Sequence, residues 1–351
     1  MQRKTNPYEE FAAIVVPQVD GLIRDFYAEK IKSATADFIK NTYKDLAEYC
    51  GRGGKRIRPV LLLAAYNGYA SGKKNTSEML FPAAAVEMMH SFLLIQDDII
   101  DKSATRRGGK AMHITSAERY GASFGADVAS IIADVLFANA LSLAARADIC
   151  NRARRRFLSA FAASYEKTAF GQIMDIVHSR PQSLISNDIP LQISTMKTAY
   201  YTMYYPLLMG RSLAVPDDEE EAKRIEAFAL PLGLAFQIRD DVLGVFGSEE
   251  ETGKPADSDI REGKFTMLIQ NTAALLPDDK RKSFEKKFLS HRKSAADVNA
   301  IKTAIKESGG LDASVRKQRE FADKAAAALG ELRISKTGRE ILACLPDMFR
   351  L

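Results

Sequence analysis

The chain has 351 residues, 46% of them hydrophobic, so it can build a large core and is not a mainly disordered protein. Its net charge of +5 is too weak an asymmetry to indicate a nucleic acid partner, although a few extra cations suit a polyanionic small substrate. The widely spaced Cys50, Cys150 and Cys344 form no CxxC pair, which disfavours a disulfide framework or zinc site and favours a reducing compartment.

The N-terminal region carries no apolar run followed by a small-residue cleavage site. The longest uncharged run, 198–210, is shorter than the ~18 residues that a membrane-spanning helix needs. We therefore expect no transmembrane segment, and a soluble, cytoplasmic protein.

Apolar residues recur at helical spacing over most of the chain, whereas period-2 alternation bounded by turn residues is hard to find. The predicted helices, in chain order, are 7–31, 33–49, 57–70, 78–101, 114–119, 122–147, 151–178, 188–214, 218–246, 262–275, 279–289, 294–307, 311–330 and 335–348. The breaks between them carry turn residues: GRGG at 51–54, SGKKN at 71–75, RRGG at 106–109, PDD at 216–218, TGKP at 252–255 and SGG at 308–310. No fixed-period repeat or Gly/Ser linker divides the sequence, so we predict an all-α, single-domain bundle of more than ten helices over residues 1–351.

The predicted helix 78–101 is strongly apolar until it reaches Asp97, Asp98 and Asp101. Asp97 and Asp101 are four residues apart and share a helix face, where like charges repel, so something cationic must offset them. Two carboxylates one turn apart suit a hard cation such as Mg²⁺. The alternative is a helix end that leaves the core with its acids solvated, although carboxylates at that end oppose the helix dipole.

The predicted helix 218–246 repeats the pattern, because an apolar stretch ends in Asp240 and Asp241. Cations in Gly-flanked or helix-start positions accompany the two acidic clusters: Lys55, Arg56, Arg58, Arg106, Arg107, Lys254 and Lys264. Gly-flanked cations and helix N-termini suit phosphate groups. Acids for a metal, alternating with cations for phosphate oxygens, are what a Mg²⁺-diphosphate requires.

Other polar residues lie close in sequence to these clusters. His90 precedes Asp97 by two helical turns and shares its face, which favours a functional role over that of a core histidine. Gln237 lies three residues before Asp240 and can join that carboxylate face. Thr198 could simply bond back to its own helix backbone, and Lys197 could be solvated.

Five motifs, in this order and spacing, resemble the polyprenyl synthase family, the trans-isoprenyl diphosphate synthases: GGKRIRP, H-x6-DDIID with RRG, KTA at 197–199, FQIRDDVLG and GKPADSDIREGKFT. The resemblance covers residue 53 to about residue 266. It implies an isoprenoid-synthase bundle around a central active-site cavity, three Mg²⁺ ions per active site, and a homodimer.

The resemblance also implies roles for individual residues. The metal ligands are Asp97, Asp98, Asp101, Asp240 and Asp241. The residues that contact an allylic diphosphate are Arg106, Lys197, Thr198, Gln237, Lys254 and Lys264. Isopentenyl diphosphate is bound by Lys55, Arg58, His90 and Arg107, with Gly54 opening the loop before Lys55. The catalytic set is the five aspartates with Arg106 and Lys197.

Two positions depart from the family pattern. Gly244 stands where many relatives have a third aspartate, so the grip on metal there is expected to be looser, and Gln96 stands where relatives often carry His. Product length is expected to depend on Phe92, five residues before Asp97 and ~7–8 Å back along the helix axis. The resemblance makes Phe92 the floor for the growing chain, and the smaller Leu93 beside it favours geranylgeranyl over farnesyl diphosphate. The alternative is that Phe92 is ordinary core packing.

The function implied is a prenyltransferase that condenses isopentenyl diphosphate with dimethylallyl, geranyl or farnesyl diphosphate. A terpene cyclase would be expected to lack the DDVLG/GKP pair and the isopentenyl site. A non-catalytic regulatory subunit should have lost acids from one motif, and both motifs keep their leading Asp pairs. The stretch 124–145 carries few charges and is a candidate dimer helix, although a central core helix fits the same pattern.

Overall fold

The computed structural model describes residues 6–70, 76–179, 181, 183–185, 188–248 and 257–351. These residues form more than ten α-helices and one two-stranded hairpin, which confirms the all-α prediction. The predicted turns at 71–75 and 252–255, and with them Lys254, lie outside the described residues.

The first half of the chain contains seven of the helices and the hairpin. They are α1 (Pro7–Ser33), α2 (Asp37–Gly51), α3 (Ile57–Tyr69), α4 (Thr76–Asp101), β1 (Thr105–Arg106), β2 (Gly109–Lys110), α5 (Met112–Tyr120), a 3₁₀ turn (Ala122–Phe124), α6 (Gly125–Ala144) and α7 (Asn151–Val177).

In the described part of the second half, the regular secondary structure is entirely helical. It contains α8 (Ile189–Ser194), a π-helical segment (Thr195–Tyr204), α9 (Tyr205–Ala214), α10 (Glu219–Phe246), α11 (Ser258–Glu262), α12 (Met267–Leu275), α13 (Asp278–Phe288), α14 (Ala295–Glu307), α15 (Gly310–Ala328), a 3₁₀ turn (Leu329–Glu331), α16 (Lys336–Ala343) and α17 (Leu345–Met348).

Local capping residues determine where several of these helices begin. Asn6 accepts a hydrogen bond from the backbone N–H of Glu9, whose side chain accepts one in return, so α1 starts with a capping box. Ser294 and Asp297 form the same arrangement at α14. Asp218 caps α10 by accepting two backbone hydrogen bonds from its first turn.

The structure corrects three of the predicted elements. The predicted helix 188–214 is continuous but changes to π-helical geometry between residues 195 and 204. The predicted helix 262–275 is divided, because Gly263 ends α11 in a left-handed conformation (φ 77°) and α12 starts four residues later. The RRGG turn forms a hairpin with two-residue strands.

The contacts divide the chain into two compact units. The first comprises Met1–Phe161, Pro206–Asp217 and Ile334–Ile341, and the second comprises Ala162–Tyr205, Asp218–Arg333 and Leu342–Leu351. A single domain over residues 1–351 therefore stays a prediction.

In the first unit, α4 is the central element and packs against α1, α3 and α6. Most of its residues are buried, which explains why its sequence is apolar on all sides rather than along one stripe. In the second unit, α10 packs against α15 and the π-helical segment, and a further apolar core joins α12, α13 and α14. The two aspartate motifs thus lie at the ends of the best-packed helix of each unit.

Two stretches of the described chain, Thr76–Asp101 and Ala122–Ala144, have the length and apolar composition of a membrane span. The apolar window of α4 is 72% buried inside the protein, as expected of a core helix, whereas that of Ala122–Ala144 is 39% buried. The second stretch therefore exposes much of its apolar surface.

Candidate active site

The first carboxylate cluster lies at the C-terminal end of α4. Asp98 is fully buried, whereas Asp97 and Asp101 are partly exposed. Arg106 donates from Nε to Asp98 Oδ1 at 2.9 Å and from Nη2 to Asp97 Oδ2 at 3.4 Å. The Tyr49 hydroxyl donates to Asp98 Oδ2 at 3.2 Å. Because an unpaired buried carboxylate is costly, Arg106 supplies the cation that the acids of α4 require.

The ionisation of Arg106 and Tyr49 follows from this contact. Burial alone would lower the pKa of Arg106, but the hydrogen bonds to Asp98 and the charges of Asp98 and Asp97 raise it above its ordinary value. Burial, with the charge of Asp98, likewise raises the pKa of the Tyr49 hydroxyl. Arg106 therefore stays cationic and Tyr49 stays protonated at physiological pH, and both act as donors to the cluster.

The hairpin holds Arg106 in place. Its turn residues Arg107 (φ 50°) and Gly108 (φ 74°) both adopt the left-handed conformation that two-residue hairpin turns require. Arg52 donates from Nη1 to the carbonyl oxygens of Arg106 at 3.2 Å and Lys110 at 2.8 Å. A Cβ atom on Gly109 would lie 2.5 Å from Arg52 Cζ, so only glycine allows this contact. Arg52 thus fastens the hairpin to the end of α2.

A second group of cations lies beside the hairpin. Arg107 Nη2 is 3.3 Å from His90 Nε2. Gly54 lies close to the guanidinium group of Arg107, and a Cβ atom added to Gly54 would be 3.0 Å from Arg107 Cζ. Arg58 is buried, and Lys55 is exposed. Burial first, and then the charges of Arg58, Arg107 and other nearby arginines, hold the pKa of His90 well below its ordinary value. His90 is therefore neutral at physiological pH and can accept a hydrogen bond from Arg107.

The second carboxylate cluster lies on α10, where Asp240 is exposed and Asp241 is buried. Gln237 Nε2 donates to Asp241 Oδ1 at 2.7 Å, and Thr198 Oγ1 donates to Gln237 Oε1 at 2.7 Å. Gln237 thus joins the carboxylate cluster of the second motif, as expected, and the carboxylate that it contacts is that of Asp241. Thr198 bonds to Gln237 in this chain of hydrogen bonds and not back to its own backbone.

Burial raises the pKa of Asp241 to about 8. The hydrogen bond from Gln237 and the charge of Lys264 lower it, whereas the charges of Asp259 and Asp240 raise it further. Asp241 is therefore a group that a nearby divalent cation would convert to its ionised form.

Lys197 projects from the π-helical segment and forms an ion pair with Asp175 of α7, with Nζ 2.6 Å from Oδ2. Gly171, one turn before Asp175, lies so close to the backbone of Lys197 that any Cβ atom there would overlap it. Gly233 of α10 likewise lies against Ala199, since its Cβ would be 2.5 Å from Ala199 Cα. The two glycines allow α7 and α10 to contact the segment that carries Lys197 and Thr198.

Lys264 follows α11 and pairs with two carboxylates, with Nζ 3.0 Å from Glu262 Oε2 and 3.5 Å from Asp259 Oδ1. The Asp259 carboxylate also lies directly against Gly244, where a Cβ atom would overlap it. The Asp259 carboxylate thus occupies the space beside Gly244, where a third aspartate of the second motif would stand.

The residues expected to set product length lie deep on α4. Phe92 is 2% exposed and Leu93 is partly buried. The Phe92 ring centroid is 5.1 Å from that of Phe137 on α6, which in turn is 5.8 Å from that of Phe161 on α7. Phe92 thus belongs to a row of packed aromatic rings.

Sequence reasoning missed several carboxylates that contact the predicted cations. Glu87 is buried on α4 near Arg107, Asp175 pairs with Lys197, and Asp259 pairs with Lys264. Glu87 and Asp175 are single acids without a second acid at helical spacing, and Asp259, with Glu262 three residues later, lies in a charged stretch and not on an apolar helix. The signal for Glu87 was a lone acid in an otherwise apolar run, three residues before His90.

The family model described as polyprenyl synthetase matches residues 40–307, a span that holds both aspartate motifs. The chain belongs to the polyprenyl synthetase family. Members of this family are prenyltransferases of isoprenoid biosynthesis.

Named relatives and a solved structure extend the match over most of the chain. Geranylgeranyl diphosphate synthase of Saccharolobus solfataricus is 29% identical over 88% of this chain and 91% of its own length. Geranylfarnesyl diphosphate synthase of Aeropyrum pernix is 27% identical over 93% of this chain and 98% of its own length. The crystal structure of geranylgeranyl pyrophosphate synthase from Corynebacterium glutamicum, complexed with isoprenyl diphosphate and magnesium, superposes with a TM-score of 0.86 at 26% identity, covering 97% of this chain and 98% of that one.

The described site residues fall into two groups, one in each unit. The first unit holds Gly54, Lys55, Arg58, His90, Phe92, Leu93, Asp97, Asp98, Asp101, Arg106 and Arg107. The second holds Lys197, Thr198, Gln237, Asp240, Asp241 and Lys264. Each group combines carboxylates with cations, as the sequence predicted.

Replacing Asp241 with Asn is expected to stabilise the metal-free protein at high pH. Its pKa is raised from 3.8 to about 8 in the folded state, so the native state holds the proton more tightly and stability falls as pH rises between these values. Asp241→Asn removes this loss of stability. The free energy of unfolding of the variant should therefore increase relative to that of the wild type as the pH rises to about 8, by an amount on the order of a few kcal/mol. Urea unfolding in EDTA from pH 4 to 9 measures it, with Asp312→Asn at an exposed acid of α15 as control. Parallel curves for the wild type and Asp241→Asn would contradict the prediction.

Proposed function

We propose that the chain is a Mg²⁺-dependent prenyltransferase that condenses isopentenyl diphosphate with an allylic diphosphate to give a short-chain trans-prenyl diphosphate, geranylgeranyl diphosphate in preference to farnesyl diphosphate. The observation that supports it best is the junction of α4 and the hairpin. There Arg106 contacts the Asp97–Asp98 pair while the adjacent Arg107 contacts His90, so an acidic and a cationic group lie side by side. Such a pair suits a metal-bound diphosphate next to a second diphosphate.

The carboxylates fit Mg²⁺ that is shared with a substrate. Among the described residues no three His, Cys, Asp or Glu side chains already converge on one point. Mg²⁺ in phosphate-processing enzymes is bound by one or two carboxylates, with waters and substrate phosphates as the other ligands, so Asp97, Asp98, Asp101, Asp240 and Asp241 suit this use better than a preformed cage. Mg²⁺, when bound, neutralises the diphosphate and improves it as a leaving group. Three ions per active site stay a proposal from the family.

The reaction we propose needs no protein nucleophile. The allylic C–O bond breaks, and the departing diphosphate keeps the electron pair. The double bond of isopentenyl diphosphate then attacks the allylic cation, and the proton lost from the adduct goes to the released diphosphate. Fixed cations such as Arg106 and Lys197 stabilise the negative charge that develops on the leaving group. The apolar walls contributed by helices such as α4 exclude water, which would quench the cation.

The allylic diphosphate would have to compete for its ligands. Lys197 is paired with Asp175, and Lys264 with Glu262 and Asp259, so each lysine exchanges a carboxylate for phosphate oxygens when substrate binds. Thr198 stays hydrogen-bonded to Gln237, and Gln237 stays hydrogen-bonded to Asp241. We assign these residues, with Arg106 and Lys254, to the allylic diphosphate, and Lys55, Arg58, His90 and Arg107 to isopentenyl diphosphate.

Two other functions compete with this one. A farnesyl diphosphate synthase uses the same chemistry and would stop one addition earlier. A non-catalytic regulatory subunit is disfavoured by Asp97, Asp98 and Asp240, which are all retained. Diphosphate release by the purified chain, measured with Mg²⁺ and an allylic substrate in the presence and absence of isopentenyl diphosphate, distinguishes a synthase from a regulatory subunit, which releases none, and from a terpene cyclase, which releases it without isopentenyl diphosphate. Chromatography of the products distinguishes farnesyl from geranylgeranyl diphosphate.

Asp97→Ala and Asp240→Ala are each expected to lower turnover by about three orders of magnitude, because each removes a proposed metal ligand and metal stabilisation is worth several kcal/mol in the transition state. The helical fold should survive, as judged by far-UV circular dichroism. Asp312→Ala, at an exposed acid on α15, is the control and should keep normal turnover. Near-normal turnover in either of the first two variants would overturn the proposed metal-binding role.

Phe92→Ala is expected to lengthen the products beyond geranylgeranyl diphosphate with a modest loss of rate, because it removes the proposed floor under the growing chain. Chromatography of products from labelled isopentenyl diphosphate measures the lengths. The control is Phe157→Ala, which deletes an equally buried ring, 2% exposed, from the far end of the same aromatic row. Unchanged lengths in Phe92→Ala would show that another residue sets the depth.

We also expect the protein to be a cytoplasmic homodimer. We expect the stretch 124–145 to contribute to the interface, because its apolar residues Phe124, Ile131 and Leu141 are 56%, 63% and 36% exposed. Light scattering at micromolar concentration should give twice the chain mass, and a mass near 38.8 kDa would refute the dimer. Ile131→Asp should dissociate it. Ile14→Asp, on α1 with the same 63% exposure, is the matched control and should leave it intact.

A further inference from the structure

A buried carboxylate, Glu87, lies behind the cations proposed to bind isopentenyl diphosphate. It is 1% exposed, one helical turn before His90 on α4. Its Oε1 accepts a hydrogen bond from Arg56 Nη1 at 2.7 Å and lies 3.8 Å from Arg107 Nη2. Its other oxygen, Oε2, is buried without a hydrogen bond from the described residues. One ionisable carboxylate oxygen therefore lies between two guanidinium groups, those of Arg56 and Arg107.

Arg56 is fixed by its own contacts and is not available to a substrate. Each of its three nitrogen atoms makes a hydrogen bond: Nε to Asp20 at 2.8 Å, Nη1 to Glu87 at 2.7 Å and Nη2 to the carbonyl oxygen of Cys50 at 2.7 Å. Its backbone is left-handed (φ 46°) at the start of α3, and its side chain is buried. Arg56 thus anchors Glu87 to α1 and to the end of α2.

Arg107, in contrast, is held loosely enough to bind a ligand. Its distance from Glu87 is that of an ion pair and not of a hydrogen bond, and it lies 3.3 Å from His90. Its guanidinium group packs against the backbone of Gly54. Its side chain is 24% exposed. The attraction of Glu87 therefore fixes where the guanidinium group lies without consuming its hydrogen bonds.

The charges around this position make such an anchor necessary. Arg56, Arg58 and Arg107 lie close enough to act on His90 and on each other, and three cations in a partly buried space repel. Asp20 offsets Arg56 at the outer end, and Glu87 is the carboxylate that reaches both Arg56 and Arg107. Without Glu87, repulsion would move the partly exposed Arg107 towards solvent.

We infer that Glu87 is a positioning residue for the second diphosphate, which holds Arg107 in the orientation that binds isopentenyl diphosphate. The inference rests on the proposed function. Glu87 also repels the diphosphate directly, but from behind Arg107 and hence at greater distance, so the loss of orientation outweighs the relief of repulsion when its charge is removed.

The test compares Glu87→Gln with Asp20→Asn, which removes a charge from the same Arg56 network without touching Arg107. Glu87→Gln should raise the KM for isopentenyl diphosphate by about tenfold or more and change kcat and the allylic KM by less than about threefold. Asp20→Asn should leave all three near wild type. A merely structural role for Glu87 would lower thermal stability in both variants and would not single out one KM. An unchanged or lowered KM for isopentenyl diphosphate in Glu87→Gln overturns the inference.

A double-mutant comparison shows whether Glu87 acts through Arg107. In an Arg107→Ala background, Glu87→Gln should add little further loss, whereas independent effects would multiply and contradict the inference. Calorimetric titration with isopentenyl diphosphate needs no turnover, so it tests Glu87 even if the wild type proves inactive, an outcome that would refute the proposed function alone. If Glu87→Gln does not fold, Glu87→Asp keeps the charge but shortens its reach, and its isopentenyl diphosphate affinity should fall while Asp20→Glu stays near wild type.

Discussion

The hydrogen bonds between Arg106 and Asp98 are the interaction on which the first site depends. A carboxylate that is fully buried in an apolar helix cannot remain ionised without a cation against it, and Arg106 is supplied by the hairpin that directly follows α4. This contact brings the hairpin back over the helix end. Arg107 is thereby placed beside His90, and Arg52 closes the arrangement from α2. The same electrostatic requirement that stabilises the acids also places the neighbouring cations.

In the second unit, the placement of the cation and the hydroxyl depends on small residues. Lys197 and Thr198 must lie beside acids or amides on two neighbouring helices, which requires unusually close backbones. Gly171 and Gly233 provide this approach, since a Cβ atom at either position would overlap the π-helical segment. Side chains of ordinary reach can then connect the elements, as the Lys197–Asp175 ion pair does. The polar contacts of Lys197 and Thr198 therefore depend on these two glycines at least as much as on the polar residues themselves.

Most of the helices could be predicted from the sequence, because apolar periodicity and turn residues are local signals. The aspartate pairs and the basic motifs were also visible, since like charges at helical spacing on an apolar helix demand a partner. What could not be predicted were the partners that chain folding brings from a distance. Glu87 and Asp175 appear in the sequence as single acids and Asp259 appears among other charged residues, and only the fold shows which cation each one faces. The hydrogen bond from Thr198 to Gln237, between residues 39 positions apart, could likewise be found only in the folded chain.

The π-helical segment Thr195–Tyr204 has a consequence for how the chain can vary in length. An α-helical turn advances about 100° per residue, and wider turns change the angle at which every later side chain leaves the axis. The segment directs Lys197 to α7 and the next residue, Thr198, to α10. Loss of one residue here would turn each later side chain of the segment by about 100° around the helix axis. The number of residues between positions 195 and 204 therefore determines the direction in which the later side chains point. Insertions or deletions within the segment should be far less tolerable than substitutions.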